Sequence, residues 1–307
     1  MGGAAIRAKK RSKQHVNKEK TLINFHMHKT AGSTRDRIFE RQFPKEVSFF
    51  FSGGSTENVQ KYMNSLKSLS GKERQRIRYI WGGPFFGLHK HLPRPCIYVT
   101  FLRDPVERVV SEYYFILQVQ DHGAHSEVVS QNMSLEDYVR KGVWLAWNCQ
   151  TRYLRGVPEG SPCFGDTGPV LLSAEDLDIA QKNLREHFMV GLTDRFDESL
   201  ILVKRAFGWR TRDILYVSQK VDQNRPFREM ISDETARLIE EHNELDIQLY
   251  EFAKQMFEER ISQQSFSLRR ELQIFRLCNK IYGLSRRVGG ISLQFVTRIF
   301  KAVTTKR

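Results

Sequence analysis

Short segments with the pattern of β-strands alternate with longer helical segments through most of this chain. The first strand is the clearest, because Ile23, Phe25 and Met27 alternate with polar neighbours, as in a half-buried strand. We predict strands at residues 21–27, 47–51 (buried), 76–83, 96–102, 188–193 and 214–218, with helices that cover most of residues 34–43, 55–69, 106–118, 134–141, 147–155, 174–187, 196–207 and 232–261. Strands that alternate with helices favour an α/β fold, with a central and mostly parallel sheet flanked by helices.

Capping residues define the starts of two of these helices. Asp104 can accept hydrogen bonds at the N-terminus of the helix over residues 106–118, and Pro105 suits its first position. Ser173 and Asp176 have the spacing of a capping box before the helix that runs to about His187. We see no internal repeat, so these elements are predicted to form one sheet-based domain.

The net charge of +14 is concentrated at the two ends of the chain. Residues 1–20 carry +6, residues 263–307 carry +9, and residues 21–262 carry −1. We therefore predict a disordered basic arm over 1–20, one globular domain over 21–262 and a basic tail over 263–307. Basic tails bind polyanions without reading sequence, and no RNA- or DNA-binding motif is visible, so we expect no nucleic acid partner.

The four cysteines are widely spaced, and no CxxC motif is present, so we predict no structural metal site. Free thiols are expected, with a disulfide between Cys149 and Cys163 as the alternative. No run of 18 apolar residues exists, and the basic N-terminus lacks the apolar stretch of a signal peptide. We therefore expect a cytoplasmic protein without a spanning helix.

The segment after the first strand has the composition of an anion-binding loop. Lys29 is followed by small or hydroxylated residues, and then a helix begins. Backbone N–H groups at a helix N-terminus attract anions, and Lys29 adds a full charge beside them. The alternative is an ordinary turn with a solvated lysine, because short glycine motifs are weak signals and no Walker A pattern is present.

A second anion site is suggested where the strand over residues 96–102 ends. Arg103 leaves that strand, and Ser111 lies two helical turns further on, on the side that faces the strand end. An arginine fork and a hydroxyl that converge there would suit a phosphate. The alternative is that Arg103 pairs with Asp104 or Glu107. Two such sites at the carboxyl edge of one open sheet support each other, because that edge binds ligands in α/β folds.

Five segments, in one order along the chain, carry a family resemblance. "FHMHKTAGST" and "TFLRDPVERVVSEYY" hold the two candidate anion sites, and "NCQTRYLRG", "VGLTDRFDESLILVKRAFGW" and "HNELDIQLYEFAKQMF" follow them. Together they resemble the carbohydrate sulfotransferases related to heparan sulfate 2-O- and 6-O-sulfotransferases and their bacterial relatives. The resemblance spans about residues 21–262, and it implies a fold similar to that of nucleotide kinases.

The resemblance implies a donor, 3′-phosphoadenosine 5′-phosphosulfate, and a reaction in which an acceptor hydroxyl attacks sulfur in line. It implies that Lys29 contacts the bridging oxygen and that Arg103 and Ser111 hold the 3′-phosphate. The loop "VDQNRP" resembles a segment that closes over the donor, with Arg225 as a weaker candidate ligand. The residues that would wrap the 5′-phosphate are Thr30, Ala31, Gly32, Ser33 and Thr34. No metal is required, because Lys29 and the loop amides stabilise the charge on the leaving phosphate.

The chain departs from the family pattern at two places. Bacterial relatives read GHxPFGLH, whereas this chain reads "GGPFFGLH", so the family's first histidine, a candidate general base, falls on Gly83. General-base catalysis contributes about 10²–10⁴-fold, so its loss would leave a slow enzyme or a binding protein. His89 could replace the base, or it could be a surface histidine, as could His91. His28 stands where the family usually has proline, and it either faces solvent, adjusts the loop or approaches the acceptor.

Residues 266–288 of the tail have the pattern of a basic amphipathic helix. Arg269, Arg276, Lys280 and Arg287 share one stripe, with apolar residues away from it. Such a helix can lie on an anionic membrane or pack on the protein body, and both interpretations stay open.

We expect a sulfotransferase with a carbohydrate or glycolipid acceptor and peripheral membrane contact through the tail. The alternatives are a catalytically weakened relative that binds the donor, suggested by Gly83, and a nucleotide-dependent kinase, against which the missing Walker pattern argues.

Overall fold

A computed structural model describes residues 19–51, 55–83, 85–157, 170–217, 231–264 and 267–288. Its five strands form one sheet in the order β2-β3-β1-β4-β5, and every pairing is parallel. The strands are β1 (Thr21–Asn24), β2 (Ser48–Phe51), β3 (Tyr79–Gly82), β4 (Cys96–Leu102) and β5 (Phe188–Leu192). Helices flank this sheet, so the predicted α/β class is confirmed.

Twelve α-helices occur among the described residues. They are α1 (Gly32–Glu40), α2 (Thr56–Ser68), α3 (Gly71–Arg76), α4 (Pro105–Gln118), α5 (His125–Ser130), α6 (Leu135–Arg140), α7 (Cys149–Arg155), α8 (Ala174–His187), α9 (Phe196–Phe207), α10 (Asp233–His242), α11 (Glu244–Ser262) and α12 (Ser267–Val288). The predicted caps are present: Asp104 accepts from the N–H of Glu107, and Ser173 and Asp176 form the capping box of α8. Helices α3 and α5, each of six residues, were not predicted.

The order of the strands creates a crevice beside β1. The chain leaves β1 toward β2 on one side of the sheet, and it leaves β4 toward β5 on the other side. The connections that follow β1 and β4 therefore diverge, although the two strands are neighbours. Open parallel sheets bind ligands outside such a switch point, at the carboxyl ends of the strands.

The apolar core has two parts. The larger one contains the sheet, and most residues of its central strands are buried, as for Leu22, Val99 and Phe101. The smaller one lies among α4, α5, α6 and α10, and Val110 and Ile239 are fully buried within it. Helix α4 contributes buried residues to the smaller part, and its N-terminus lies at the carboxyl edge of the sheet because it directly follows β4.

Strand β2 is an edge strand, so the prediction of a buried strand there was wrong. Only Phe51 is buried, whereas Phe50 is 40% exposed. At the end of β3 the chain passes very close to β2, since a Cβ on Gly82 would stand 1.5 Å from the carbonyl oxygen of Phe51. Gly82 also has a φ of 140°, so glycine is required there by both contact and conformation.

Two further predictions of elements were wrong. The segment 214–218 forms no strand in its described part, because polar side chains take its backbone groups. Tyr216 N–H donates to Asn279 Oδ1 (2.8 Å), and the Leu215 carbonyl accepts from Arg41 (2.7 Å). The helix predicted over 232–261 is two helices, separated at Asn243, whose φ of −127° leaves the helical region.

Helix α12 packs against α9, as in the second interpretation of the tail. Phe275 and Cys278 are buried, Glu271 pairs with Lys204 and Arg205, and Arg276 lies 3.1 Å from Asp197. Among the described helices, none has the length and apolarity needed to cross a bilayer.

Candidate functional site

The loop between β1 and α1 has an unusual backbone. Lys29 and Ala31 have φ angles of 62° and 58°, in the left-handed region that residues other than glycine rarely adopt. Such conformations cost of order 1–3 kcal/mol each, and they concentrate at ligand sites. Alternating backbone conformations of this kind can turn successive N–H groups toward one point, where they bind anions.

The N-terminus of α1 is free of competing negative charge. Its N-cap residue is Ala31, which offers no side-chain acceptor, and its first turn contains no acidic residue. Ser33 is exposed at this end, whereas Thr34 is 7% exposed. Thr30 is fully buried, and its hydroxyl donates to the carbonyl of Met27 (3.1 Å). The donors fit a phosphate or sulfate group.

The ion pair of the partly exposed Asp36 with the buried Arg35 (3.4 Å) lies in α1 beneath the loop. Asp36 accepts from Asn24 (2.8 Å) and lies 2.6 Å from the Nδ1 atom of His26. Burial raises the pKa of the Asp36 carboxyl, but His26, Arg35 and Asn24 outweigh burial and bring that pKa below its ordinary value. A Cβ on Gly32 would stand 2.2 Å from the His26 ring, so only glycine lets α1 begin this close to the ring.

The two predicted anion sites meet. The Nη1 atom of Arg103 donates to the backbone carbonyl of Lys29 (3.1 Å), so the arginine after β4 touches the loop after β1. The Nη2 atom of Arg103 donates to Glu107 (2.8 Å), as in the alternative interpretation of that arginine. Arg103 thus joins the two loops at the switch point while Glu107 partly neutralises its charge.

Helix α4 contributes further residues to this edge. The Nζ atom of Lys29 lies 3.7 Å from the centre of the Phe115 ring, a cation–π contact that turns the lysine toward α4. Ser111 lies in the second turn of α4 and is 7% exposed. Lys29 and Arg103 are therefore brought together directly, and Ser111 stands on the helix that both of them contact.

The motifs "NCQTRYLRG" and "HNELD" meet behind Arg103. The Gln150 side chain accepts from the N–H of Arg103 (3.0 Å) and donates to its carbonyl (2.8 Å). Asp246 in turn accepts from the N–H groups of Gln150 and Thr151, and Asn243 accepts from Asn148. Sequence reasoning quoted both motifs but missed these roles, because the partners stand 95 to 98 residues apart in the chain.

A buried carboxylate lies beside the loop and was also missed. Glu112 is fully buried, and its Oε1 atom is 3.5 Å from both His28 Nδ1 and His122 Nε2. Burial alone would raise the pKa of Glu112, but His28, His122 and the Arg108 charge hold that pKa far below its ordinary value. The only sequence signal was His28 in place of the family proline, with Glu112 next to Ser111.

His89, the predicted general base, is not brought to this edge. Its Nδ1 atom is 3.0 Å from the hydroxyl of Tyr98, the third residue of β4, and its ring stacks on His187 (4.8 Å between ring centres). His187 directly precedes β5, so His89 lies near the amino ends of the strands. Burial, with the charges of His187, Lys90 and His91, lowers the pKa of His89 to about 4.

Other predicted site residues stand elsewhere. Gly83 follows β3 and donates its N–H to the Phe51 carbonyl (2.7 Å). Arg225 lies outside the described residues. Cys149 is a free and buried thiol, while Cys163 is outside the described ranges. Within the described part of the chain, no group of His, Cys, Asp or Glu has the arrangement of a metal site.

Curated relatives of the chain are carbohydrate sulfotransferases. The heparan-sulfate 6-O-sulfotransferase 1 of Homo sapiens is 26% identical over 208 residues, which cover 58% of this chain and 47% of that protein. The heparan sulfate 2-O-sulfotransferase 1 of Xenopus laevis is 28% identical over 179 residues (53% and 47%). The galactose-3-O-sulfotransferase 2 of Mus musculus is 23% identical over 174 residues (55% and 42%). The chain spans about half the length of these relatives.

The predicted resemblance to carbohydrate sulfotransferases is confirmed at the level of the family. A family model described as galactose-3-O-sulfotransferase matches residues 6–287, a range that includes both anion loops, Gln150, Asp246 and most of α12. The chain therefore belongs to the galactose-3-O-sulfotransferase family.

Proposed function

We propose that this protein transfers a sulfo group from 3′-phosphoadenosine 5′-phosphosulfate to a hydroxyl group of a carbohydrate. The observation that carries the proposal is the contact between Arg103 and the Lys29 carbonyl, which joins two cationic loops at the switch point of the sheet. A donor with a phosphosulfate at one end and a phosphate at the other needs two anion sites at such an edge.

The chain's own residues suit this donor. The left-handed loop and the uncapped N-terminus of α1, whose first turn contains no acidic residue, would offer N–H groups to the 5′-phosphosulfate. Arg103, fixed through its backbone by Gln150, is placed for the 3′-phosphate, with Ser111 on the adjoining helix. A metal ion is not part of the proposal, since Lys29 and the amides supply the positive charge.

The proposed reaction depends on charge that develops during transfer. As the acceptor oxygen bonds to sulfur, the bond from sulfur to the 5′-phosphate breaks and leaves negative charge on that phosphate. Lys29 turns from the Phe115 ring to the bridging oxygen and stabilises this charge, together with the amides of residues 30–34. Groups aimed at developing charge lower the barrier more than groups that bind the ground state.

The proposed acceptor is a carbohydrate, free or on a glycolipid. The matched family is described by galactose 3-O-sulfation, whereas two of the relatives are described by heparan sulfate, so the 3-hydroxyl of galactose is the first acceptor to test. The second candidate function is donor binding without efficient transfer. Gly83 favours it, because glycine supplies no proton acceptor at the position of the family histidine.

Two measurements on the full chain test the proposal. Calorimetry with adenosine 3′,5′-bisphosphate measures the donor site, and transfer of radiolabelled sulfo groups to galactosides, heparan oligosaccharides and glycolipids measures the reaction. We expect Lys29→Ala to lower the transfer rate by about 10²–10³-fold, as for the loss of one group that stabilises the transition state.

A surface lysine provides the control. Lys182→Ala removes the same charge from the exposed face of α8, and we expect its transfer rate and nucleotide affinity to match the wild type. Nucleotide binding without transfer to any acceptor would support the second candidate. No heat of binding, or equal rates in Lys29→Ala and wild type, would overturn the proposed site.

A further inference from the structure

We propose that His28, held by the buried carboxylate of Glu112, is the general base that takes the proton from the acceptor hydroxyl. The inference rests on the proposed sulfo transfer and adds to it the residue that Gly83 cannot supply. The inference explains two residues together. His28 differs from the proline that is usual in the family, and Glu112 is a buried charge that the donor site does not use.

The first argument is position. His28 directly precedes Lys29, and the loop that carries both continues into the N-terminus of α1. A general base must reach the hydroxyl that attacks sulfur, within one hydrogen bond. Sulfur bound next to Lys29 lies beside His28, whereas His89 lies near the amino ends of β4 and β5.

The second argument is orientation. The His28 ring stacks on Tyr153 (17° between planes, centres 6.4 Å apart) and meets the edge of Trp144 (6.4 Å). Its Nδ1 atom faces Glu112, so its Nε2 atom, on the opposite side of the ring, points away from the carboxylate. The side chain is 32% exposed, whereas Glu112 is fully buried, so the ring is reached by solvent from a side that the carboxylate does not occupy.

The third argument is the state of Glu112. Its carboxylate is fully buried, and neither oxygen has a hydrogen-bond partner among the described residues, since both histidine contacts are long at 3.5 Å. A buried carboxylate whose oxygens accept no close hydrogen bond costs stability and calls for an explanation. A carboxylate in this position stabilises the imidazolium that forms when His28 accepts a proton, as in a histidine–carboxylate pair of a hydrolase.

The other groups around Glu112 cannot take this role. His122 contacts the same Oε1 atom but is only 8% exposed, and its ring packs on Trp144 and Phe115. Arg108 is fully buried, and it donates to the carbonyl of Leu145 (2.6 Å). Lys29 is a cation committed to the leaving phosphate. His28 is therefore the titratable group here that combines exposure with contact to Glu112.

The step balances without another reactant. The acceptor O–H bond breaks, its proton goes to His28 Nε2, and its electron pair forms the bond to sulfur. The bond from sulfur to the bridging oxygen breaks, and that electron pair stays on adenosine 3′,5′-bisphosphate. His28 then releases its proton to solvent, while Glu112 remains ionised throughout.

The test measures transfer and nucleotide binding in the same full-length variants. We expect His28→Gln to lower kcat by about 10²–10³-fold, the contribution of a general base, while the Kd for adenosine 3′,5′-bisphosphate changes by less than about threefold. In His28→Ala, added imidazole should restore part of the rate, because the side chain leaves an accessible space. Such rescue distinguishes a lost proton acceptor from a disturbed fold.

Two histidine variants serve as comparisons. His89→Gln tests the rival base, and His187→Gln removes a histidine of similar exposure, 36%, before β5. We expect both to keep rates within about threefold of the wild type. If His28→Gln keeps the wild-type transfer rate, or if His89→Gln loses it instead, the inference about His28 is wrong while the proposed sulfo transfer still stands. A wild type that binds the nucleotide but transfers to no acceptor overturns the proposed transfer and the inference together.

Discussion

Arg103 shows how one residue can serve two partners. Its guanidinium bonds the Lys29 carbonyl and Glu107, and its backbone is held by Gln150. A 3′-phosphate bound to Arg103 would meet the Glu107 carboxylate as a like charge. Glu107 therefore sets an upper limit on how tightly this site holds an anion.

Replacing Glu107 by glutamine should tighten nucleotide binding. Glu107→Gln removes the negative charge that would repel the phosphate and that pairs with the Nη2 atom of Arg103. We expect about fivefold tighter binding of adenosine 3′,5′-bisphosphate, which corresponds to about 1 kcal/mol of binding free energy. Calorimetry at low salt measures the change. Glu46→Gln, on an exposed turn before β2, should leave the affinity unaltered. Unchanged or weaker binding in Glu107→Gln would place the 3′-phosphate away from Arg103.

Acid should weaken the ion pair under the loop. The folded pKa of Asp36 lies below its ordinary value, so its contribution to stability is complete above about pH 3.8 and is lost as the pH falls through the folded pKa. We expect Asp36→Asn to lower the free energy of unfolding by about 2 kcal/mol near neutral pH, from the lost charged hydrogen bonds. In denaturant titrations, the difference in free energy of unfolding between the wild type and Asp36→Asn should become smaller as the pH is lowered. A difference that does not vary with pH would contradict the ion pair.

Strand pattern and charge alone predicted that Lys29 and Arg103 lie at one edge of the sheet, although 74 residues separate them in the chain. Lys29 and its loop follow one strand, and Arg103 follows the next strand along the sheet, so strand pattern and charge were enough. Glu112 was missed because a glutamate in a helix is most often solvated, and only packing from three other segments buries it. Asp246 was missed because its partners lie in a helix 95 residues away.

At the scale of elements, the N-terminus of α7 depends on α11. Asp246 caps Gln150 and Thr151, and Gln150 positions Arg103, so one carboxylate supports both a helix and the anion site. Burial raises the pKa of the Asp246 carboxyl, although Arg108 and the two N–H groups oppose this change. Asp246 therefore has a structural role, and it acts on Arg103 only through Gln150.

Removing this cap should affect both stability and binding. Asp246→Ala leaves two buried N–H groups without acceptors, and we expect a loss of about 2–4 kcal/mol in the free energy of unfolding. Nucleotide affinity should fall as well, because Gln150 no longer fixes Arg103. Asp233→Ala, exposed in the first turn of α10, is the matched control. Lower stability with unchanged affinity would show that Arg103 does not need this support.

The elements that sequence predicted correctly are those with a strong period or a local cap. Helix α9 was predicted at its observed bounds, and α8 followed from its capping box. The break at Asn243 was not predictable, because its side chain bonds the carbonyl of Ala146 and the N–H of Asn148, which lie far away in sequence. Segment 214–218 has strand composition, yet Asn279 and Arg41 satisfy its backbone.

At the scale of the whole molecule, α12 presents a basic outer face. Arg269, Arg270 and Lys280 are exposed, together with Leu277 and Leu284, while Phe275 packs inward. A face with cations and leucines suits an anionic membrane surface. Each basic residue near such a surface contributes about 1 kcal/mol of binding free energy. We therefore propose that α12 contacts such membranes while it stays packed on α9. Deleting the tail would remove the buried Phe275 and expose the core surface that it covers. Charge reversal on the exposed face avoids this change and is therefore the better test.

Charge reversal on α12 should abolish membrane binding. We expect the full chain to float with vesicles that contain phosphatidylserine, and the triple variant Arg269→Glu, Arg270→Glu, Lys280→Glu to remain unbound. The control carries the same charge change elsewhere, as Lys45→Glu, Lys72→Glu, Lys182→Glu, on exposed residues of other elements. Equal flotation of the two triple variants would rule out α12 as the contact.

The link from Asp246 to Arg103 has a consequence for biosynthesis. The five strands of the described residues leave the ribosome before Asp246, which follows Gln150 by 96 residues. A nascent chain with its sheet already assembled therefore still lacks the carboxylate that braces α7 and, through Gln150, Arg103. Under the proposed function, such an intermediate binds the donor more weakly than the finished chain, and a chain terminated before α11 lacks this support for Arg103.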